Sequence, residues 1–309
     1  MKFLFHFVFL TGVVLFQTAF SYELCIVSLF KDEGPYLREW VKYHQLIGVD
    51  HFWLYNDGST DNWREVLQDY LDDGIVEVFD RPYSSEGKSL ISKQLVVFKD
   101  GLKKAQDVDA DWVALIDLDE FLVPMRELSV VECLNKHFSD VSAVYISWLN
   151  FGTSHLWLEE GVPILFQLTD CAERLHPENA IGKSIVRPRC VDIDKIWYVH
   201  HFPLKKGNYY MNGQGDQLQW KTPIEVEIIP YHQDKFLRIN HYFYRDENFY
   251  RNVRLPRRNH GLDLLKEHYK SYGLDKNFRI MHVINSLLFH KPINKVQSAD
   301  EQWKSFVAD

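Results

Sequence analysis

The sequence lacks the features that mark several common classes of protein. Its four cysteines show no C-x-x-C spacing, which argues against a zinc site built on cysteine pairs. Lysine and arginine number 35 against 43 aspartates and glutamates, giving a formal net charge of -8. Nucleic-acid binding is therefore not expected, because such proteins gather cations against phosphates. No internal repeat or low-complexity linker divides the chain.

A long apolar run occurs only at the start of the chain. Lys2 precedes an apolar stretch over 3–16, and the small residues Ala19 and Ser21 follow it. This order is typical of an export signal removed before Tyr22. The alternative is an uncleaved membrane anchor, because 3–20 approaches the ~20 residues that span a bilayer. Both predict the secretory lumen or its membrane (Golgi or ER in a eukaryote), or the periplasm or membrane of a bacterium. After export, Cys171 and Cys190 could pair.

The rest of the chain has the pattern of an α/β protein. With 309 residues and 46% hydrophobic side chains, it can bury a large core, so we expect one catalytic domain over 22–260 and a helical extension over 261–309. Short apolar runs alternate with amphipathic stretches, which predicts a Rossmann-like, mainly parallel sheet flanked by helices. The predicted strands are 24–30, 51–56, 75–79, 112–116, 143–148, 185–187 and 196–202. The first predicted helix begins at Pro35. The others cover 63–72, 90–102, a stretch ending near 138 and a tail after 262.

Two aspartates stand at the end of the fourth predicted strand. Asp117 and Asp119 are two residues apart, so in an extended chain both point to one side and can share a cation. Acidic residues at such a place can instead cap a helix or face solvent. The apolar strand before them and the return to the core over 120–124 favour the metal interpretation. A divalent cation would also let this acidic chain bind a diphosphate.

A second polar motif follows the second predicted strand. Residues 56–61 read NDGSTD, and Asp57 is placed to accept hydrogen bonds from a nucleotide base or ribose. The alternative is a plain turn with a helix cap. Ligands of open parallel sheets bind beyond the carboxyl ends of the strands, where this motif and the two aspartates would meet.

The ordered set of motifs resembles glycosyltransferase family 92 and its family 2-like relatives. The motifs that carry the resemblance are SLFKDE at 28–33, YNDGSTD at 55–61, DWVALIDLDEF at 111–121, KSIVRP at 183–188 and NHY at 240–242. The resemblance covers roughly 23–253. It implies a GT-A fold, a nucleotide-sugar donor such as UDP-galactose, a divalent metal such as Mn²⁺ or Mg²⁺, and inversion at the anomeric carbon.

The resemblance also implies roles for individual residues. Asp32 stands where relatives commonly carry asparagine, which puts a donor contact by Asp32 in doubt. The residues expected to contact the donor are Ser28, Glu33, Asp57, Gln94, Asp117 and Lys183. Gln94 could equally be an exposed helix residue.

A transferase of this type needs further groups beyond the two aspartates. GT-A enzymes commonly add a histidine to the metal, and His200 and His241 are the candidates, although each could be a packing histidine. A carboxylate base should lie ahead of Lys183, and Glu173 is preferred over Asp170 and Glu178, which could all be solvated loop residues. Several aromatic residues could stack on a glycan acceptor or simply pack in the core: Trp148, Trp157, Tyr209 and Tyr210.

The principal hypothesis is metal-dependent transfer of a sugar such as galactose from a nucleotide-sugar donor to a glycan or another hydroxyl acceptor. One alternative is a nucleotidyltransferase, although 28–33 is not the Gly-rich, basic phosphate loop such an enzyme ordinarily carries. The other is a non-catalytic carbohydrate-binding protein on the same fold.

Overall fold

The computed structural model describes residues 22–80, 89–154, 156–159, 162–222, 225–227, 234–258 and 272–289. The predicted export signal or anchor over 1–21 lies outside these residues, as does most of the predicted 261–309 extension. Within the described part of the chain, no helix is both long and apolar enough to cross a bilayer.

Most of the regular structure lies before residue 150. The helices are α1 Gly34–Leu46, α2 Trp63–Val66, α3 Gln68–Asp72, α4 Leu90–Asp107, α5 Val130–His137, α6 Ile164–Gln167, α7 Glu247–Phe249, α8 Leu255–Arg258 and α9 Arg279–Phe289. The strands are β1 Leu24–Phe30, β2 His51–Asn56, β3 Val76–Asp80, β4 Trp112–Leu115, β5 Glu120–Pro124, β6 Ala143–Asn150, β7 Asp170–Ala172, β8 Gly182–Val186, β9 Tyr210–Asn212, β10 Gln217–Leu218, β11 Trp220–Thr222, β12 Glu225–Val226, β13 Leu237–His241 and β14 Tyr272–Lys276. A π-helical turn, Tyr250–Arg254, joins α7 to α8.

A ten-stranded mixed sheet forms the centre of the molecule. Its main path runs β10-β9-β6-β8-β4-β1-β2-β3, and β13 joins β6 to β5. The pairs β1–β2, β1–β4 and β2–β3 are parallel, so the carboxyl ends of these strands lie at the same end of the sheet, which we call its carboxyl edge. The antiparallel strand β8 then continues the sheet between β4 and β6. The predicted α/β class with a mainly parallel nucleus is confirmed.

The helix after β1 fixes the segment that follows the two aspartates. Pro35 stands in the first turn of α1, where its missing N–H costs nothing. On the buried face of α1, the Trp40 indole N–H donates to the Glu120 carbonyl at 2.8 Å and the Tyr43 hydroxyl donates to the Leu122 carbonyl at 2.6 Å. These bonds hold β5 beside the end of β4.

Two predictions for the second half of the chain are wrong. The segment 196–202 forms no strand, because the neighbouring β8 already has β4 and β6 on its two edges, and the Phe202 N–H donates to the Tyr210 hydroxyl instead. The tail is not purely helical, since β14 pairs with β7 ahead of α9. Cys171 and Cys190, for which pairing was left open, are both free. In the first half, the predicted 63–72 helix is divided into α2 and α3.

Candidate functional site

The loops after β1 and β2 are joined to each other at the carboxyl edge of the sheet. The Asp57 N–H donates to the Phe30 carbonyl at 2.8 Å, and the Thr60 N–H donates to Asp32 Oδ1 at 2.6 Å. Asp32 has a left-handed backbone with φ 44°, as has Gly58 with φ 70°, so both loops turn sharply. Asp57 is thereby held next to the end of β1.

Four of the predicted donor residues form one polar chain along this edge. Lys93 Nζ lies 2.6 Å from Asp57 Oδ2. The next residue of α4, Gln94, donates from Nε2 to Asp117 Oδ1 at 2.6 Å. The other oxygen of Asp117 lies 3.1 Å from Nζ of the fully buried Lys183. The structure therefore brings Asp57, Gln94, Asp117 and Lys183 together, with Lys93 as an added member.

Asp119 faces a different group of residues. It is buried, with 4% of its surface exposed, and its Oδ2 accepts a bond from Arg254 Nη1 at 2.5 Å. The same oxygen lies 3.6 Å from His241 Nε2. Burial would raise the pKa of Asp119, but Arg254 and His241 outweigh it and hold that pKa well below its usual range. Asp119 is therefore ionised at neutral pH.

A three-residue cluster with metal-ligand chemistry surrounds Asp119. Within the described residues, one ligand atom each from Asp119, Glu120 and His241 lie within 4.8 Å of one another. Glu120 Oε2 accepts the Asp117 N–H at 3.0 Å, whereas its Oε1 is buried and has no hydrogen-bond partner in the described structure. Burial raises the pKa of Glu120 well above its usual range, the carboxylates of Asp117 and Asp119 raise it further, and Lys183 opposes them. Glu120 thus favours its protonated form unless a cation is nearby.

A chain of amide groups sets the tautomer of His241. The Asn179 side-chain NH₂ donates to the Glu173 carbonyl at 2.9 Å, so Asn179 Oδ1 must accept from the Asn150 side-chain NH₂, also at 2.9 Å. Asn150 Oδ1 then faces His241 Nδ1 at 2.8 Å and requires a proton there. In the neutral ring, Nε2 therefore presents its lone pair to the ionised Asp119.

Asp119 Oδ2 and His241 Nε2 both present electron pairs and lie 3.6 Å apart. Arg254 already supplies one positive charge to Asp119 Oδ2, and a cation bound between the two atoms would be a second. Two carboxylates and one imidazole suit Mn²⁺, which accepts mixed oxygen and nitrogen ligands, and the unpartnered Glu120 Oε1 supplies a further ligand atom. The Asn150 bond to Nδ1 is the usual outer support of a metal-bound histidine. The residues present therefore fit a divalent cation.

The structure separates the other proposed ligands from this cluster. Asp117 is engaged by Gln94 and Lys183. His200 Nδ1 lies 2.7 Å from the Gly182 carbonyl. Burial and the Lys183 ammonium lower the pKa of His200 to about 4, so its ring is neutral at neutral pH. The described geometry thus groups Asp119 with His241 and places Asp117 and His200 beside Lys183.

Two predicted donor residues are buried. Glu33 is buried at the start of α1, where Oε1 lies 3.2 Å from Arg254 Nη2 and Oε2 lies 3.5 Å from Arg245 Nη2. Ser28 lies within β1 opposite Leu54 and has no exposed surface. Glu33 therefore pairs with the two arginines near Asp119. Ser28 is not accessible to a ligand that enters from solvent.

The candidate bases lie in the segment after β6. Asp170 begins β7, and its Oδ1 lies 3.3 Å from Lys276 Nζ. Glu173 and Glu178 are exposed, and the Glu173 backbone carbonyl is the acceptor for Asn179 described above. The segment is thus tied to the His241 network through its backbone.

Aromatic rings form a continuous row from the surface to His241. Trp148 lies between the rings of His200 and His241, with centroid distances of 5.6 and 4.2 Å. Tyr198 lies 4.9 Å from His200 and is stacked on Trp197 at 5.3 Å. Trp197 is 44% exposed. We call these residues, Trp197, Tyr198, His200 and Trp148, the aromatic row.

The other aromatic candidates have different surroundings. Tyr210 is buried, and its hydroxyl accepts the Phe202 N–H. Tyr209 is partly buried, and its hydroxyl donates to the Asp140 carbonyl at 3.2 Å. Trp157 is 85% exposed. Trp148 alone of the four predicted aromatic residues belongs to the aromatic row.

Several residues of the site escaped the sequence-based prediction. Glu120 stood next to the paired aspartates, and its place at the start of an apolar strand was a signal that it is buried. The asparagines and arginines gave no such signal, because they act on partners far away in the sequence: Asn150, Asn179, Arg245 and Arg254.

Comparison with known proteins identifies the family. The architecture is an α/β fold with a parallel group of strands, and its polar cluster lies at the carboxyl edge of the sheet. Residues 21–261 match glycosyltransferase family 92, and the chain belongs to this family. A family 92 protein of Ricinus communis is 27% identical over 243 residues, and one of Oryza sativa subsp. japonica is 28% identical over 209 residues. These matches cover 75% and 64% of this chain but 38% and 32% of the relatives, so the chain spans about a third of their length.

Solved structures with some likeness to the chain include two bacterial enzymes. S. aureus TarS 1-349 is 11% identical with a TM-score of 0.40, over 92% of this chain and 78% of that one. Glucosyl-3-phosphoglycerate synthase from Mycobacterium tuberculosis, in complex with Mn²⁺, UDP and glucosyl-3-phosphoglycerate, is 14% identical with a TM-score of 0.31, over 55% and 58%. Likenesses this low do not bear on the chemistry of this chain.

Proposed function

We propose that the protein is a metal-dependent glycosyltransferase that moves a sugar such as galactose from a UDP-sugar donor to a glycan or another hydroxyl acceptor, with inversion. Membership of family 92 supports this function. The observation that carries it is the pairing of His241 Nε2 with the ionised Asp119 at 3.6 Å, with the ring tautomer set by Asn150. The arrangement offers two ligand atoms for a cation at the sheet edge where a nucleotide would bind.

The donor half of the site would divide its work among four carboxylates. Asp57, held by Lys93, would accept hydrogen bonds from the nucleoside. Asp119, Glu120 and His241 would hold Mn²⁺ or Mg²⁺, which when bound neutralises charge on the leaving diphosphate. Asp117 would orient donor groups with Gln94, and the Lys183 ammonium would add positive charge. Most of the rate would then come from positioning and charge stabilisation.

The aromatic row supports an acceptor site on the other side of His241. Aromatic faces stack on the apolar faces of sugar rings, and the row leads from the exposed Trp197 to Trp148 beside His241. The segment with the candidate bases, Glu173 and Asp170, is joined to His241 through the asparagine chain. One of these two carboxylates would take the proton of the attacking hydroxyl.

We also propose that the protein acts in the secretory lumen or on its membrane. The apolar start and the small residues at 19 and 21 support this placement. Sequencing the N-terminus of the protein purified from its host tests it. A chain beginning near Tyr22, or a membrane-bound chain with Met1, fits the proposal, and a cytosolic chain that retains Met1 contradicts it.

The proposed chemistry is tested by donor hydrolysis. The purified protein is incubated with UDP-galactose, UDP-glucose, UDP-N-acetylglucosamine and GDP-mannose, with Mn²⁺ or with EDTA, and the release of free nucleotide is measured. Release of UDP from one UDP-sugar, dependent on Mn²⁺, is expected. Release of pyrophosphate from UTP and a sugar phosphate would instead indicate a nucleotidyltransferase. Glycan binding without turnover of any donor would indicate a carbohydrate-binding protein.

A further inference from the structure

Arg254 occupies the metal-facing oxygen of Asp119. Its Nη1 donates both to Asp119 Oδ2 at 2.5 Å and to the Phe243 carbonyl at 2.6 Å, and its Nη2 lies 3.2 Å from Glu33 Oε1. Asp119 Oδ2 is also the oxygen that lies 3.6 Å from His241 Nε2. A cation held by Asp119 and His241 must therefore compete with the guanidinium for the same oxygen.

The buried charges around this oxygen balance without any cation. Asp119 and Glu33 are two buried carboxylates in contact with basic side chains. Arg254 contacts both of them, and Arg245 contacts Glu33, so two guanidinium groups face two carboxylates. Because charges left uncompensated in a protein interior are costly, this balance stabilises the metal-free site.

We propose that Arg254 is a built-in counter-ion of Asp119, which a divalent cation must displace and whose guanidinium then pairs with the diphosphate of the donor. This inference rests on the proposed function. The bond to Glu33 keeps the guanidinium in the site when Asp119 is taken by the cation. The freed donors then need an anion, and a diphosphate is the anion that arrives with the metal. Guanidinium groups suit phosphate oxygens because they donate two hydrogen bonds in a planar fork.

The position of Arg254 in the fold is consistent with such an exchange. It ends the π-helical turn Tyr250–Arg254, and π-helical turns are often found at functional sites. Its neighbour Arg245 also binds Glu33, but its other bond goes to the Leu118 carbonyl at 2.5 Å rather than to Asp119. The two buried arginines therefore differ in one respect that an experiment can use.

The test measures Mn²⁺ binding directly. The dissociation constant is obtained from the electron paramagnetic resonance signal of free Mn²⁺, without donor, for the wild type and for Arg254→Met. Removing the competing guanidinium should tighten Mn²⁺ binding about tenfold, the effect of losing one charge-assisted hydrogen bond. Arg254→Lys, which keeps the charge but cannot form the same fork, should lie between the two.

Arg245→Met is the matched control, because it removes the same charge from the same cluster without touching Asp119. It should tighten Mn²⁺ binding less than Arg254→Met does. Adding UDP should lower the Mn²⁺ dissociation constant by a larger factor in the wild type than in Arg254→Met, because only the wild type has a displaced guanidinium to receive the diphosphate. Thermal unfolding with and without Mn²⁺ identifies variants that do not fold.

Weaker or unchanged Mn²⁺ binding by folded Arg254→Met would overturn the inference, as would equal tightening by Arg245→Met. If Arg254→Met does not fold, Arg254→Lys decides: weaker or unchanged binding again overturns the inference. The proposed function fails separately, when the wild type turns over no nucleotide sugar. Tighter Mn²⁺ binding by Arg254→Met with no such turnover would support Arg254 as the counter-ion of Asp119 but contradict the proposed transferase function.

Discussion

The two halves of the chain contribute opposite chemistry to the candidate site. Residues 22–150 form the parallel group β1, β2, β3 and β4 and supply the donor-side carboxylates, including Asp57, Asp117 and Asp119. Residues 151–289 contain short, irregular elements and supply most of the partners of these carboxylates: Lys183, His241, Arg245 and Arg254. Lys93 and Gln94 are the exceptions, because they reach Asp57 and Asp117 from α4 within the first half.

This division indicates that the site exists only when the two halves are packed together. Asp119 and Arg254 are 135 residues apart in the sequence, and both are almost fully buried. Leaving either residue buried without its partner would be unfavourable. The carboxylates of the first half are therefore held in place by the second half, and four predictions test how far the halves depend on each other.

The largest effect is expected at the junction of the halves. Asp119→Asn keeps the shape of the side chain but removes its charge, so metal and donor binding should fail. Transfer should drop by more than about a hundredfold, because mutation of even the outer partners of metal ligands lowers metal affinity or activity by about 10- to 100-fold. The fold should persist, with a stability loss of about 1–3 kcal/mol from the weakened bond to Arg254. Initial rates at saturating donor check this, and turnover near the wild-type rate would exclude Asp119 as a ligand.

The second prediction concerns a pH dependence that belongs to the first half. His44 is buried in α1, with Nδ1 2.8 Å from the Trp40 carbonyl and Nε2 accepting the Leu122 N–H at 3.2 Å, so its ring must be neutral. Burial lowers the pKa of His44 to about 3, although the Trp40 bond opposes this shift. The pKa of a histidine in the unfolded chain is about 6.5. The stability that the folded protein gains by keeping His44 neutral is therefore fully present above pH 6.5 and is lost as the pH falls towards 3.

Lowering the pH from 7.5 to 5 should therefore cost the wild type about 2 kcal/mol of unfolding free energy through His44. The His44→Gln variant lacks this contribution, and its deficit relative to the wild type should shrink by that amount. Urea unfolding of both proteins at the two pH values measures the difference. A deficit that stays constant with pH would show that His44 does not titrate as its burial requires.

The third prediction separates the two candidate histidine ligands, His200 and His241, which both lie in the second half. His241→Ala should raise the Mn²⁺ concentration for half-maximal activity by about tenfold or more, and excess Mn²⁺ should partly restore activity. His200→Ala should lower the melting temperature and leave the Mn²⁺ titration unchanged, because His200 binds the Gly182 carbonyl. The opposite result, with His200 controlling the titration, would make His200 the ligand and His241 a packing residue.

The smallest effect is expected at the outer end of the aromatic row. Trp197→Ala should raise the acceptor KM about three- to tenfold by removing a stacking face, and donor hydrolysis without acceptor should not change. Trp157→Ala is the control, because Trp157 is also an exposed tryptophan but lies outside the aromatic row. Equal effects of the two substitutions would show that the aromatic row does not bind the acceptor.

The sequence allowed the first half to be predicted far better than the second. The strands at 24–30 and 51–56 were predicted to the residue, because each is an apolar run bounded by polar turns. The segment 196–202 has the same apolar character but no free sheet edge beside it, which only the tertiary structure reveals. Asp119 and His241 were proposed as ligands from local motifs and the family resemblance, whereas Arg254 lies in a polar, irregular segment with no local signal.

The most direct test of the account is the position of the metal. Crystals grown with Mn²⁺ and UDP should give an anomalous scattering peak at the Mn²⁺ edge in contact with Asp119 and His241, next to Glu120 and the diphosphate of UDP. That peak would join a carboxylate of the first half to an imidazole of the second. Bound UDP without an anomalous peak, or a peak at Asp117 that leaves His241 uncoordinated, would contradict the account.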